Sequence, residues 1–197
     1  MINYPFLEKS QTIKKEAKII LDSTNIINFL NKFGEVNLIG SYAYDVMMSK
    51  DIDFHIIVKE FDMNIIKTSI NYFLDSGLFE YVEFHDKHNF NEDAAARYAS
   101  KKALDSFYLG LKMTFNESLW QIGINFIVKP QESSNEIIEL MKNSSNEEKE
   151  KILEFKHLLF ESDIKVSSSY IYRAVIEKKA KTKEELFEYL KLIGYSV

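Results

Sequence analysis

Apolar residues recur at helical spacing through the first part of the chain. They share one face of a helix and comprise Ile13, Ala17, Ile20, Leu21, Ile27 and Leu30. This pattern predicts one long helix from about Leu7 to Phe33. Gly34 follows it as the stop signal.

The next segments alternate between apolar and polar positions, which is typical of strands. Val36 to Ile39 predicts a short strand, and Tyr42 to Met48 predicts a short helix after it. From Ile52 to Val58 every second residue is apolar. One face of this strand is therefore predicted to be buried, and the other, with Asp53, to be polar.

Further along, the pattern predicts two more helices, a strand and a hairpin. In chain order these are a helix capped by Asp62 that runs to about Ser76, a strand from Phe79 to His85, a helix from Asn91 to Ala103, and a hairpin of Ser106 to Phe115 and Leu119 to Val128 joined by the turn Asn116-Glu117-Ser118. Pro130 is predicted to end the sheet region.

After about residue 132 only helical patterns remain. Capping-box spacings begin at Ser133, Ser145 and Thr182. We therefore expect an α/β (α+β) protein with a small mixed twisted sheet flanked by helices. Residues 1–132 would form the α/β domain, and residues 133–197 would form a helical C-terminal part.

The composition excludes several classes of protein. The chain has no cysteine, which rules out disulfides, thiolate metal sites and a cysteine nucleophile. It has no membrane-length apolar run and no signal-peptide pattern, so the expected location is cytoplasmic, without a membrane partner. The net charge of −5 argues against nucleic acid as a partner, because such proteins are usually basic on one surface.

One segment has a spacing that suggests chemistry. Gly40 and Ser41 end a strand and open a helix, and after nine residues Asp51 and Asp53 begin the next strand. A glycine lets a phosphate approach the backbone, and the free N–H groups of a helix start favour an anion. Two carboxylates on one strand face repel each other unless a cation lies between them. Magnesium, or manganese, together with substrate phosphates suits such a site.

This spacing resembles the signature of polymerase β-type nucleotidyltransferases, especially the small bacterial group that includes antibiotic and minimal nucleotidyltransferases. The run from Leu119 to Phe126 is similar to a later strand of that family, and Ser169 to Val175 resembles a C-terminal helix of some relatives. The resemblance implies catalytic metal binding by Asp51 and Asp53. It implies nucleotide binding by Gly40, Ser41 and Lys50, in a cleft between the two parts.

The chain departs from the family pattern at one position. The family's third carboxylate would fall at Gly123, and glycine has no side chain to ligate a metal. In the family this carboxylate helps to bind the metal nearest the attacking hydroxyl and is a candidate base. Asn125, on the same strand face, and Glu83, on a neighbouring strand, are the candidates for a substitute ligand.

Several other polar residues have two interpretations. Lys50 is either a triphosphate contact or a turn residue. For His55 a packed or solvent-facing histidine is favoured over a contact to phosphate or metal. His85 and His88 flank Asp86, but they lack a convincing set of further ligands, which favours an ordinary polar loop.

Two functions from different classes follow. The first is transfer of a nucleoside monophosphate from a magnesium-bound nucleoside triphosphate to a hydroxyl of a small molecule or a protein. The second is a degenerate relative that binds nucleotide or a partner without transfer, an interpretation motivated by Gly123. The C-terminal helices are predicted to contact a substrate or a second copy of the chain in a homodimer.

Overall fold

The computed structural model describes residues 3–89, 104–129 and 132–197. Five strands form one sheet: β1 (Glu35–Ile39), β2 (Asp51–Ile57), β3 (Tyr81–Asp86), β4 (Phe107–Phe115) and β5 (Ser118–Ile127). The helices described are α1 (Pro5–Thr24), α2 (Ile26–Leu30), α3 (Gly40–Ala43), α4 (Met63–Asp75), α5 (Glu132–Lys142), α6 (Asn146–Glu161), α7 (Ser168–Ile176) and α8 (Lys183–Leu192). The predicted helix from Asn91 to Ala103 and Pro130 lie outside the described residues.

The sheet is mixed, as the sequence predicted. Its strand order is β1-β2-β5-β4-β3. The pair β2 and β5 is parallel, and the other three pairs are antiparallel. This order places β2, the strand that carries the two aspartates, directly beside β5, the strand that carries Gly123.

The alternation in each strand divides the sheet into an apolar and a polar face. The apolar face is buried and includes Ile52, Phe54, Ile56, Leu109, Leu111, Trp120, Ile122, Ile124 and Phe126. Burying this face stabilises the fold by roughly 25 cal/mol for each Å² of apolar surface removed from water. The opposite, polar face carries Asp51 and Asp53, the aspartates that the sequence singled out.

The predicted N-terminal helix is in fact two helices. Asn25 adopts a left-handed conformation with φ of 52°, which interrupts the helix between α1 and α2. Asparagine tolerates this conformation better than most residues. The break rotates the second helix, so that Ile26 and Phe29 are buried and Ile27 is only partly buried.

The short helix after β1 begins earlier and ends sooner than predicted. It spans Gly40–Ala43 instead of Tyr42 to Met48. Asp45 follows with φ of 60°. Its carboxylate pairs with Lys14 and, at 3.0 Å, with Lys149. These two ion pairs hold a backbone conformation that would not continue a helix.

The start of α4 is confirmed in detail. The Asp62 carboxylate accepts a hydrogen bond from the Asn64 backbone N–H at 2.8 Å, as expected of an N-cap. Ile66 and Phe73 are buried, whereas Leu74, the next residue after Phe73, is 58% exposed.

The hairpin has a tighter turn than predicted. Asn116 and Glu117 alone join the strands, and their φ values are 48° and 58°. Two positive φ values in a two-residue loop match the right-handed twist of the strands on either side. Ser118 already belongs to β5. The register pairs Phe115 with Ser118 and leads to Gly110 opposite Gly123.

The C-terminal part is helical, as expected. Ser145 and Thr182 both form complete capping boxes, with Glu148 and Glu185 as their partners. Ser133 does not precede a helix, since it lies inside α5.

Two compact units are distinguishable. One contains Glu16–Tyr42 and Lys50–Gln131 and includes the sheet. The other contains Met1–Lys15, Ala43–Ser49 and Glu132–Val197, and its core includes Leu7, Val46, Leu153, Tyr172 and Leu186. Three separated stretches of chain thus build the helical unit. A domain boundary at residue 132 stays a prediction.

A close approach occurs where Gly34 passes the end of β2. A Cβ atom placed on Gly34 would lie 2.1 Å from the carbonyl oxygen of Ile57 and 2.8 Å from its carbonyl carbon. Both atoms belong to the backbone and have no room to move aside. Only glycine fits here, which is a stronger constraint than the helix stop that the sequence indicated.

Among the described helices, none combines the length and the apolar character that a membrane span requires.

Candidate functional site

The polar face of the sheet carries the residues that the sequence singled out. Because cross-strand partners share a face, the register assigns these residues to rows. One row runs Asp51, Gln121, Lys112, Tyr81; the next runs Asp53, Gly123, Gly110, Glu83; and the third runs His55, Asn125, Tyr108, His85. The central row has carboxylates at its ends and two glycines between them.

Asp53 lies between two glycines. It pairs in register with Gly123 on one side, and on the other it pairs with Ile39, the residue before Gly40. A Cβ on Gly40 would lie 3.1 Å from Asp53 Oδ2, and a Cβ on Gly123 would lie 2.8 Å from Asp53 Oδ1. The two glycines therefore leave the space that this carboxylate occupies.

The environment of Asp53 disfavours its charge. Burial raises the pKa of this carboxyl to about 6, and the negative charge of Asp51 adds to the effect. Asp51 and Asp53 are two residues apart on β2 and so share its polar face. A cation bound between them would relieve both causes.

Gly40 and Ser41 stand at the end of β1. Gly40 has φ of 67°, a left-handed conformation that glycine adopts without cost. Ser41 is buried. The helix they open, α3, has only four residues, so its dipole is weaker than that of a full helix. The backbone turn at Gly40, more than a helix dipole, shapes this end of the site.

The remaining predicted nucleotide contact, Lys50, has partners within the protein. Its ammonium group lies 2.7 Å from the Glu16 carboxylate and 5.5 Å from the centre of the Trp120 ring. These contacts fix the side chain of Lys50, which is the residue directly before Asp51. Trp120 itself is fully buried and is part of the core.

His55 is packed rather than exposed. It is 9% exposed, and burial lowers the pKa of its imidazole, which favours the neutral ring. It lies beside Asn37 on β1 and Asn125 on β5. This position supports the interpretation as a packed histidine.

The two candidate substitutes for a third ligand have other partners. The Asn125 amide oxygen accepts a hydrogen bond from the Ser106 hydroxyl at 3.1 Å. Glu83 accepts one from the Tyr81 hydroxyl at 3.0 Å and lies 3.3 Å from His85 Nε2. Within the described ranges, no three or more His, Cys, Asp or Glu side chains are grouped closely enough to hold a metal ion. Their role as ligands stays a prediction.

The loop with His88 has a structural explanation. Asp86 accepts hydrogen bonds from the backbone N–H groups of His88 and Asn89, at 3.1 and 2.8 Å. The His88 ring contacts Asp105 at 2.9 Å. Asp86, the last residue of β3, therefore organises the turn that contains His88, whereas His85 lies on the strand and not in the predicted polar loop.

Sequence reasoning missed Tyr108. It lies on the polar face of β4, and atoms of its ring and hydroxyl are 3.4 and 3.6 Å from the position of a Cβ on Gly123. The signal was available in the alternation of β4, which places Tyr108, Gly110 and Lys112 on one face. What the sequence did not show was the register that brings this face to Gly123.

Comparisons with known proteins show the fold. No family model and no curated protein matches the chain. Among solved structures, the Cid1 poly(U) polymerase bound to MgATP matches with a TM-score of 0.55 and 16% identity, over 83% of this chain and 49% of that one. A cytoplasmic RNA terminal U-transferase matches with a TM-score of 0.54 and 14% identity, over 88% and 53%.

The chain spans about half the length of these solved structures. At this level of identity the likeness concerns the fold, which is the nucleotidyltransferase fold of mixed sheet and flanking helices.

Proposed function

We propose that the protein transfers a nucleoside monophosphate from a magnesium-bound nucleoside triphosphate to a hydroxyl group. The observation that carries the proposal is the arrangement at Asp53. Its carboxylate shares a strand face with Asp51 and lies against Gly40, where β1 ends. A carboxylate pair next to a phosphate-accessible glycine turn is what metal-dependent nucleotide chemistry needs.

The residues at this site fit a divalent cation. Asp51 and Asp53 would supply oxygen ligands, and a bound cation would offset the burial and the Asp51 charge that raise the pKa of Asp53 to about 6. When bound, magnesium or manganese neutralises phosphate charge and polarises the phosphoryl group under attack. Fold neighbours with bound magnesium nucleotides are consistent with this assignment.

The protein's own residues would bind and orient the nucleotide. The positive φ and missing side chain of Gly40 leave its backbone open to the β- and γ-phosphates, and Ser41 would add a donor. Lys50, held by Glu16, would place a positive charge near the triphosphate. In the reaction an acceptor oxygen bonds to the α-phosphorus and pyrophosphate leaves.

Label transfer from α-labelled nucleoside triphosphates tests the proposal. The acceptors would be an aminoglycoside and lincosamide panel and a cell extract, with magnesium or manganese present. We expect label to move to an acceptor with the wild type and not with Asp51→Ala. Equal transfer by both proteins would overturn the assignment.

A second function, nucleotide or partner binding without transfer, is favoured by one observation. Gly123 faces Asp53, and the described residues offer no third carboxylate within reach of the pair. Such a protein would show magnesium-dependent nucleotide affinity and no labelled product. The cytoplasmic location, a homodimer and the identity of the acceptor stay predictions.

Restoring a carboxylate at residue 123 should increase transfer. In Gly123→Asp the new Cβ would lie 2.8 Å from Asp53 Oδ1, so the end of the Asp53 side chain has to shift to admit the added carboxylate. We expect transfer to rise by about tenfold or more, because a further oxygen ligand would help to bind the metal nearest the attacking hydroxyl. The same label-transfer assay measures it.

Gly123→Asn is the matched control for that variant, since it has the same size and no charge. If Gly123→Asp and Gly123→Asn behave alike, the effect is steric, and the missing carboxylate does not limit the reaction.

A side chain at residue 40 should weaken nucleotide binding. Gly40→Ala forces a Cβ into a left-handed conformation and to 3.1 Å from Asp53 Oδ2. We expect about 1 kcal/mol of lost stability and about tenfold weaker binding of magnesium ATP, because the Asp53 carboxylate is displaced. Calorimetric titration measures the affinity.

Gly77→Ala separates the two effects of the previous variant. Gly77 has a similar φ of 66°, but nothing lies within 4 Å of its Cβ position. It should lose similar stability and keep its nucleotide affinity. Equal affinity losses in both variants would point to a general effect of backbone strain.

A further inference from the structure

The space beside Asp53 into which a side chain at residue 123 would project is bordered by Tyr108. The Tyr108 hydroxyl is 3.6 Å from the Cβ position of Gly123, and Asp53 Oδ1 is 2.8 Å from the same point. A phenol and a carboxylate therefore converge on one small region of the polar face. Both groups border the position of residue 123, where a Cβ would contact each of them.

The ring of Tyr108 is held in this orientation from several sides. Lys87 Nζ lies over the ring at 4.2 Å from its centre, a cation–π contact. Burial lowers the pKa of Lys87, whose backbone N–H also bonds to Ser106 at 3.0 Å. The His85 ring contacts the phenol ring at 5.7 Å between centres. The hydroxyl is thus positioned by its surroundings.

Glu83 occupies the equivalent space next to Gly110. Its Oε1 is 2.5 Å from the Cβ position of Gly110, while Oε2 interacts with Tyr81 and His85. Gly110 and Gly123 are direct cross-strand partners. Glu83 lies one strand beyond Tyr108, so it is the Tyr108 side chain that borders the Cβ position of Gly123 next to Asp53.

We propose that Tyr108 positions the acceptor hydroxyl for the transfer, on the side of Asp53 where a third carboxylate is missing. This inference rests on the proposed function. The phenol oxygen accepts a hydrogen bond from the acceptor's hydroxyl group. This contact orients a lone pair of the acceptor oxygen toward the α-phosphorus. The acceptor oxygen–phosphorus bond forms, the bond to the β-phosphate bridging oxygen breaks, pyrophosphate leaves, and the acceptor's proton passes to water. Tyr108 stays protonated throughout.

Tyr108→Phe tests this role, since it removes the hydroxyl and keeps the ring on which Lys87 packs. The probes would be α-labelled ATP, manganese, and glycerol and water as hydroxyl acceptors. We expect kcat to fall about 100-fold, the size seen when one positioned hydrogen-bonding group is lost from a transition state. Calorimetric affinity for the nucleotide, measured without glycerol, should change by less than about twofold.

Tyr72→Phe is the matched control. Its hydroxyl bonds the Thr24 carbonyl at 3.4 Å, and its ring stacks on Phe29 at 3.6 Å between centres, away from the polar face. It should keep wild-type turnover and nucleotide affinity. Thermal unfolding of all three proteins establishes that they are folded.

The outcomes distinguish the two proposals. Normal turnover by Tyr108→Phe overturns the role of Tyr108 and leaves the proposed function intact. A parallel loss of turnover and nucleotide affinity also overturns it, because it indicates a structural role. A wild type that binds no nucleotide, or binds without transferring, refutes the transferase proposal and the Tyr108 role with it.

Discussion

Asp53→Asn should give a protein that is more stable than the wild type and has no transferase activity. The carboxylate is kept in a place that disfavours its charge, so that removing the charge relieves the fold. The same change removes a proposed metal ligand, and we expect turnover to fall by about a thousandfold or more. Opposite effects on stability and activity in one variant are typical of a functional site.

The direction of the stability change follows from the pKa. Asp53 has a pKa of about 6 in the folded protein, against an ordinary value of 3.8. The folded state therefore binds the proton more tightly, and stability falls as pH rises through this window. Above the folded pKa the cost is complete, at about 2–3 kcal/mol.

Urea unfolding without metal, near pH 5 and at about pH 7.5, measures the effect. The wild type should lose more stability than Asp53→Asn between the two pH values. Asp75→Asn, at an exposed position near the end of α4, is the control and should follow the wild type. Identical pH profiles for wild type and Asp53→Asn would show that Asp53 is not destabilised by its surroundings.

Magnesium should act in the opposite direction. An ion that binds only the folded protein stabilises it, by an amount that grows with the concentration of the free ion. The wild type should gain stability on addition of magnesium and nucleotide, while Asp53→Asn gains less. No gain in either protein would contradict the metal site.

Gly34→Ala should lower the free energy of unfolding by more than about 3 kcal/mol. The new Cβ would lie 2.1 Å from the Ile57 carbonyl oxygen, a backbone atom at the end of β2. Either the turn before β1 or the end of β2 has to move. Since a domain of this size has only about 5–15 kcal/mol of stability, we expect a large shift of the urea midpoint.

Gly194→Ala provides the comparison for Gly34→Ala. It introduces a Cβ at φ of 95° with nothing within 4 Å of it. Its cost should be limited to backbone strain, about 1–3 kcal/mol. If Gly34→Ala is no worse than this, the close approach to Ile57 does not constrain the fold.

Local patterns in the sequence were enough to predict most elements and the two faces of β2. Alternation placed Ile52 and Phe54 on the buried face and Asp53 on the other, and the capping residue Asp62 marked the start of α4. These features depend on neighbours in the chain. A single-residue conformation such as that of Asn25 was missed, because asparagine is compatible with both a helix and a left-handed turn.

The rest of the candidate site depends on register between distant strands. The resemblance predicted that Gly123 stands where the family has a third carboxylate, but its place beside Asp53 required the parallel pairing of β2 with β5. Tyr108 belongs to no recognisable motif, and no pattern around Gly110 predicted that Glu83 would lie over it. A shift of one residue in either pairing would exchange the two faces, so no local pattern determines these contacts.

The helical unit also sets an order of events during synthesis. The backbone N–H groups of Phe6 and Leu7 bond to the Glu150 carboxylate at 3.1 and 2.7 Å, across 144 and 143 residues of chain. At ordinary rates of translation, these groups wait about ten to thirty seconds before their partner has been made. Until then Leu7 lacks the core it joins, and the earliest part of the chain is among the last to reach its final place.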